Sequence, residues 1–161
     1  MTAEVTIRLA EAADAARLNA ALRALSDDLG DEHRATDADI AAAGFGAEPA
    51  FRALLALRGD ATVGVAVFSP IYSTTRATAG AYVSDLWVAQ SARGARLGPR
   101  LLASVRDAAQ ARWGGGFIRL SVYADNPRAV AFYERMGFSA RTGEVGMILD
   151  GAALRAIGDR A

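Results

Sequence analysis

Apolar and polar residues alternate along "VTIRL", Val5 to Leu9, and predict a strand. The period then lengthens. Leu18, Leu22, Leu25 and Leu29 recur on one face and predict a helix from about Asp14, whose side chain suits an N-cap. "TDADIAAAGFG" reads as a second, short helix, with Thr36 and Asp39 as a capping box and Gly44 closing it. Two β-rich runs around Arg58-Gly59-Asp60 predict a hairpin, "PIYSTTRATAG" a polar loop, and "AYVSDLWV" another strand. From Pro99 a helix runs to about Arg112, with Leu101, Leu102, Val105, Ala108 and Ala109 on its inner side. "WGGG" ends it, and "FIRLSVY" is again strand-like. "DNPRAVAFYERMGF" predicts a helix with Asn126 as N-cap, Pro127 in its first turn and Gly137 after its end. "GMIL" reads as a last strand and "GAALRAIG" as a short terminal helix. No repeat or linker intervenes, so residues 1–161 read as a single domain. The order of elements predicts an α/β fold, a mixed sheet covered by helices on both faces.

Composition narrows the chemistry. The 161 residues suffice for one sizeable core. The 18 basic and 18 acidic residues cancel, which gives no reason to expect nucleic acid as a partner. Every basic residue is arginine, so a Schiff-base lysine and a Walker lysine are both excluded. Without cysteine there is no disulfide, thiolate nucleophile or zinc–sulfur site. The one histidine, His33, reads as a surface residue and cannot build a histidine-rich metal site; no metal is expected. A Ser-His-Asp hydrolase would want a G-x-S-x-G elbow, which is missing. The N-terminal stretch lacks the regions of a signal peptide and no run reaches membrane-spanning length, so a cytoplasmic protein without a membrane partner is expected.

One stretch asks for a ligand. In "VAQSARGARLGPRLL", residues 88–102, Gly94 and Gly98 let backbone approach a ligand at a helix start, where free N–H groups and the helix dipole favour an anion. Arg93, Arg96 and Arg100 add charges suited to phosphates. The alternative is a tight turn with solvated arginines. A dinucleotide fingerprint fails on glycine order. What matches is R-G-x-x-L-G after a strand ending in valine, which resembles the acetyl-CoA signature of the GNAT N-acetyltransferase superfamily. About 30 residues later, "NPRAVAFYERMGF" resembles that family's second motif at Asn126, Ala129, Phe132, Tyr133, Gly137 and Phe138. The resemblance implies the GNAT fold, with a mostly antiparallel central sheet, and acetyl-CoA as cosubstrate. It implies that the turn from Arg93 through Gly94, Ala95, Arg96, Leu97 and Gly98 to Pro99 holds the pyrophosphate. Backbone groups of Leu86, Trp87 and Val88 would then face the pantetheine arm and thioester, with Asn126 and Phe132 on the cofactor and Tyr133 as general acid for the departing thiolate.

"GFGAEPAFRALLA", the loop before "AYVSDLWV", and "MILDGAALRAI" further resemble the spermidine/spermine (diamine) N-acetyltransferase branch. Two positions depart from it: Thr75 stands for a loop tryptophan, and Ser84 for a glutamate that contacts polyamine and accepts a proton, with Asp85 retained. Asp85 is therefore the candidate base, unless it simply partners an arginine. Simple alternation would put Val83, Asp85 and Trp87 on one side of the strand and Ser84, Leu86 and Val88 on the other. Asp27 and Asp28, unfavourably placed near a helix C-terminus, together with Ser84 are candidates for the acceptor side; a solvated charged loop is the alternative. These residues predict acetylation of a primary amine of a small molecule, a diamine, polyamine or amino-acid-like amine. Acetylation of a protein amine or an antibiotic, or a non-catalytic coenzyme A-binding regulatory module, are the competing readings. The resemblance also implies a homodimer, and the apolar "GMIL" segment would need covering at a sheet edge.

Overall fold

The computed structural model describes residues 4–158, which divide into two compact units meeting between Ser121 and Val122. The first unit is built on a five-stranded sheet: β1 (Val5–Leu9), β2 (Arg52–Arg58), β3 (Ala61–Ser73), β4 (Thr78–Val88) and β5 (Ile118–Leu120). The strands lie in sequence order. The first three pairings are antiparallel and β4–β5 is parallel, so the sheet is mixed. Three helices belong to this unit, α1 (Ala15–Leu29), α2 (Asp37–Phe45) and α3 (Leu97–Trp113). The second unit holds two short helices, α4 (Pro127–Arg135) and α5 (Gly151–Arg155). Among the described residues no helix is long and apolar enough to cross a membrane.

Strand alternation sorts the core into two layers. Ala53 and Leu55 of β2 and Val65 and Val67 of β3 pack with Leu18, Ala21 and Leu22 of α1 and Ile40 of α2. Residues one step out of phase, Ala56 of β2 and Gly64 of β3, face α3. A Cβ at Gly64 would come within 3.0 Å of a Leu101 methyl, so the glycine sets how closely α3 approaches. Phe68 meets Trp113 edge-on on the same side. Leu101 and Val105 are fully enclosed, and each such side chain contributes roughly 1.5–3 kcal/mol of burial. Helices thus cover both faces of the sheet, as the pattern predicts.

Several boundaries move. The entry to α1 is a single 3-10 turn over Ala12–Asp14, and Asp14 makes no side-chain cap to α1. Its carboxylate instead accepts from the Glu11 N–H at 2.8 Å and from both Arg8 guanidinium nitrogens at 2.6 and 2.9 Å. The Thr36–Asp39 capping box forms, but α2 runs through Gly44 and is closed at Gly46. Most of the expected loop "PIYSTTRATAG" is strand, reduced to a tight turn over 74–77. Pro70 is tolerated in β3 because pairing with β2 stops at Arg52↔Phe68, leaving that side of the strand free of donors' obligations. The third helix starts two residues before Pro99, still within the turn whose N–H groups have no helical acceptor. "FIRLSVY" keeps only Ile118–Leu120 in the sheet. "GMIL" forms no ladder among the described residues: the three apolar residues Met147, Ile148 and Leu149 carry strand propensity, but no partner strand supplies the hydrogen bonds that would offset ordering them.

Candidate active site

The decisive local feature is an irregularity in β4. Phe68 pairs with Val83 and Val67 with Asp85, so Ser84 is an extra residue, a β-bulge. The bulge breaks the simple alternation. Asp85 and Trp87 lie opposite Val67 and Val65, on the α1 side, whereas Val83 lies opposite Phe68 on the α3 side with Leu86. The expected grouping of Val83 with Asp85 and Trp87 is therefore corrected. Ser84 itself is exposed, and its hydroxyl donates to an Asp85 carboxylate oxygen at 2.7 Å.

On its other edge β4 is paired with β5 only from Ala81 to Val83. Beyond that point the backbone groups of Ser84 to Val88 that face away from β3 have no strand partner in this sheet. Strand amides can bind a ligand only where the ladder does not consume them. Backbone groups alternate between the two edges of a strand. The Ala89 N–H donates to the Val63 carbonyl of β3, so Trp87, two residues before it, also faces β3, and the expectation that its backbone contacts the cofactor is corrected. Leu86 and Val88 face the open edge and meet that condition.

After β4 a 3-10 turn over Gln90–Ala92 leads to α3. Gly94 and Arg96 both take left-handed backbone, φ 81° and 57°. Glycine adopts this freely; for arginine it costs roughly 1–2 kcal/mol. Gly94, Ala95 and Arg96 are exposed, and the first-turn N–H groups of α3 lack helical acceptors. Leu97 and Gly98 are buried: the Leu97 side chain serves the core, and backbone is what both residues can offer a ligand. Pro99, third in the helix, offers no N–H.

The three arginines are not equivalent. Arg93 donates through Nε to the Val88 carbonyl at 3.1 Å and through a terminal nitrogen to Asp28 at 2.7 Å. Asp28 also accepts from the Trp87 indole at 3.1 Å. Arg100 reaches back to the Val5 carbonyl of β1 at 2.8 Å. Asp27, one residue before Asp28, is exposed. Among the described residues, Arg96 is thus the exposed cation of the turn that makes no such anchoring bond.

In the second unit Asn126 caps α4, its side-chain oxygen accepting from the Ala129 N–H at 3.1 Å, with Pro127 as first helical residue. Tyr133 is half-buried between Phe132 and Phe138, ring centroids 5.1 and 5.5 Å away, both edge-on. Burial pushes its phenol above the ordinary tyrosine range, so it is protonated at neutral pH and able to donate.

Sequence reasoning missed two networks. The Asp28–Arg93–Trp87 cluster joins residues 59 and 65 positions apart, a separation at which no spacing signal exists. His33 is not a free surface residue: it bonds the Asn19 side-chain oxygen at 2.8 Å and the Ser26 hydroxyl at 3.2 Å, and Asn19 is buried. It fastens the segment after α1.

An open strand edge running into a turn of exposed amides suits a long ligand with an anionic middle. The model of the acetyltransferase (GNAT) family matches residues 18–138. The chain belongs to the GNAT acetyltransferase family. The match spans both motifs and both compact units. Over 145 residues the chain is 29% identical to thialysine N-epsilon-acetyltransferase of Sus scrofa, covering 84% of each protein, which supports the branch read from the sequence. Among solved structures it resembles an integron cassette protein from the mobile metagenome of V. cholerae, with TM-score 0.79, 21% identity, and 95% and 96% of the two chains covered. It also resembles an aminoglycoside N-acetyltransferase in complex with CoA, with TM-score 0.75, 14% identity, and 94% and 97% covered. These likenesses establish the GNAT fold, and the protein is an N-acetyltransferase that draws on the family's donor, acetyl-CoA. The residues present fit that donor: unpaired β4 amides, two left-handed residues and a helix start. Among the described residues no group of three or more His, Cys, Asp or Glu side chains is placed to hold a metal ion.

Proposed function

We propose that this GNAT enzyme acetylates a primary amine of a small molecule, a diamine, polyamine or amino-acid-like amine. The observation that carries the reading is the open β4 edge, which leads directly into the exposed turn at Gly94, Ala95 and Arg96. Acetyl-CoA supplies an activated thioester. Leu86 and Val88 offer it backbone groups, and the turn with the first amides of α3 receives its pyrophosphate. Asn126, which caps α4, and Phe132 are assigned to the donor by the second motif alone. Tyr133, assigned by its place in the second motif and protonated at neutral pH, delivers a proton to the departing sulfur.

An alkylammonium has a pKa of ~10.4, so only about one molecule in a thousand is neutral near pH 7.4. A proton acceptor must therefore stand on the acceptor side. Asp85 fills that role in this reading, oriented by the Ser84 hydroxyl. Asp27, an exposed carboxylate, attracts the ammonium. The enzyme works as a homodimer, a reading supported by the apolar run at Val145, Met147 and Ile148, which is almost wholly exposed in one chain.

Release of free thiol from acetyl-CoA, measured over diamines, thialysine, an aminoglycoside and an N-terminal peptide, tests the substrate class. Turnover is expected on a small amine. Turnover confined to the peptide or the aminoglycoside would replace the acceptor, and donor binding without turnover on any amine would favour a regulatory module.

A further inference from the structure

Asp28 lies in the last turn of α1, and its carboxylate is already engaged. It accepts from Arg93 at 2.7 Å and from the Trp87 indole at 3.1 Å, and the same Arg93 donates to the Val88 carbonyl at 3.1 Å. These bonds connect the end of α1, the last residues of β4 and the first residue of the glycine–arginine turn. Val88 ends the strand segment that has lost its β5 partner, so the ladder holds it on one side only. An unladdered strand end followed by two left-handed residues needs another restraint. The ion pair is only half exposed, 49% and 48% for the two side chains.

We infer that Asp28 is a positioning residue for the acetyl donor: through Arg93 and Trp87 it holds the end of β4 and the turn in the form that receives the donor, and it does not bind the amine. The inference rests on the proposed placement of the donor along this edge. It also assigns Arg93 to the protein and not to a phosphate, leaving Arg96 as the charge that meets the anion.

The alternatives differ in sign. If Asp28 bound the acceptor ammonium, its loss would raise the amine KM. If Arg93 bound phosphate directly, removing Asp28 would free its charge and tighten the donor. Under the positioning role Asp28→Ala weakens the donor, although one negative charge has left the neighbourhood of an anion.

Donor affinity is measured by calorimetry with coenzyme A, and KM for both substrates by thiol release, on wild type, Asp28→Ala, Asp28→Asn, Arg93→Ala and the Asp28→Ala/Arg93→Ala double variant. Loss of charge-assisted hydrogen bonds at a half-exposed site predicts a Kd for coenzyme A about five- to tenfold higher in Asp28→Ala. The amine KM should stay within about twofold. Asp28→Asn keeps an acceptor of the same shape and should recover most of the affinity. The double variant should be no worse than the worse single one, because the two side chains act as a unit. Unchanged or tighter coenzyme A binding in Asp28→Ala, a change confined to the amine KM, or additive effects would each overturn the inference while leaving the donor site in place. Failure of the wild type to bind coenzyme A would instead remove the donor site, and this inference with it.

Discussion

Replacing Asp14 with asparagine should cost the fold about 2 kcal/mol at neutral pH and flatten the acid limb of its stability curve. Asp14 is 8% exposed, and three donors converge on it: two nitrogens of Arg8 and the N–H of Glu11. Burial alone would raise its pKa. The Arg8 hydrogen bonds and charge, with the Glu11 amide, outweigh burial and hold the carboxyl down at about 2. In the unfolded chain the same group titrates at about 3.9, and each unit of difference is worth about 1.4 kcal/mol. Because the folded pKa is the lower one, the stabilisation is complete above about pH 5 and is lost as pH falls through 3.9 toward 2. The assay is urea unfolding followed by tryptophan fluorescence from pH 7 to pH 2.5, wild type against Asp14→Asn. The stability difference should be about 2 kcal/mol at pH 7 and shrink steadily below pH 4. A difference that stays constant down to pH 3, or one under about 0.5 kcal/mol at pH 7, would refute the account. The pair ties β1 to the start of α1, so the same acid range should loosen the helix that carries Asp28.

Tyr133→Phe should lower kcat at least tenfold while coenzyme A affinity is kept, since the ring contacts with Phe132 and Phe138 survive; full turnover would exclude the phenol as acid. Gly80→Ala should destabilise by roughly 1–3 kcal/mol in urea titration, because the new Cβ would stand 2.6 Å from the Phe117 carbonyl, where β5 joins β4; a cost under about 0.5 kcal/mol would show the strands can part freely. Ile148→Asp should turn a dimer into a monomer in sedimentation, and a wild type that sediments as a monomer would end the dimer reading.

What could be read from the chain was what local physics determines. Thr36 with Asp39, Asn126 with Pro127 and Gly114 after Trp113 act within a few residues, so caps and helix ends followed from spacing. Core positions followed from period at Leu18 and Leu22 of α1 and at Leu101, Leu102, Val105 and Ala109 of α3, whereas Leu29, on the same expected face, is exposed in the last turn of α1. Pro70 misled because its acceptability depends on where β2 stops pairing, which is a property of another strand. The bulge at Ser84 was hidden for the same reason: "AYVSDLWV" alternates well enough to look regular, and only the register against β3 reveals the extra residue. Asp28 illustrates the limit at the site. Its charge was visible and its place near a helix C-terminus looked unfavourable, but the compensating arginine is 65 residues away.

The bulge also changes what the exchange of glutamate for serine means. At position 84 the side chain stands at the one residue of β4 with no counterpart on β3, and its hydroxyl turns back onto Asp85 instead of reaching outward. A glutamate there would place a second carboxylate next to Asp85, and the two like charges would oppose each other's ionisation. With serine, Asp85 gains a hydrogen-bond donor in place of a like charge. Of the polar residues that mark the acceptor side in sequence, Asp28 is spent on Arg93 and Ser84 on Asp85. In the proposed reading, recognition of a cationic amine then falls to Asp27 and Asp85, a smaller negative field than two paired carboxylates and a free rim would make. Under the proposed reading, a short diamine or amino-acid-like amine should therefore turn over better in the thiol-release assay than a long polyamine, and the reverse order would refute this account of the acceptor side.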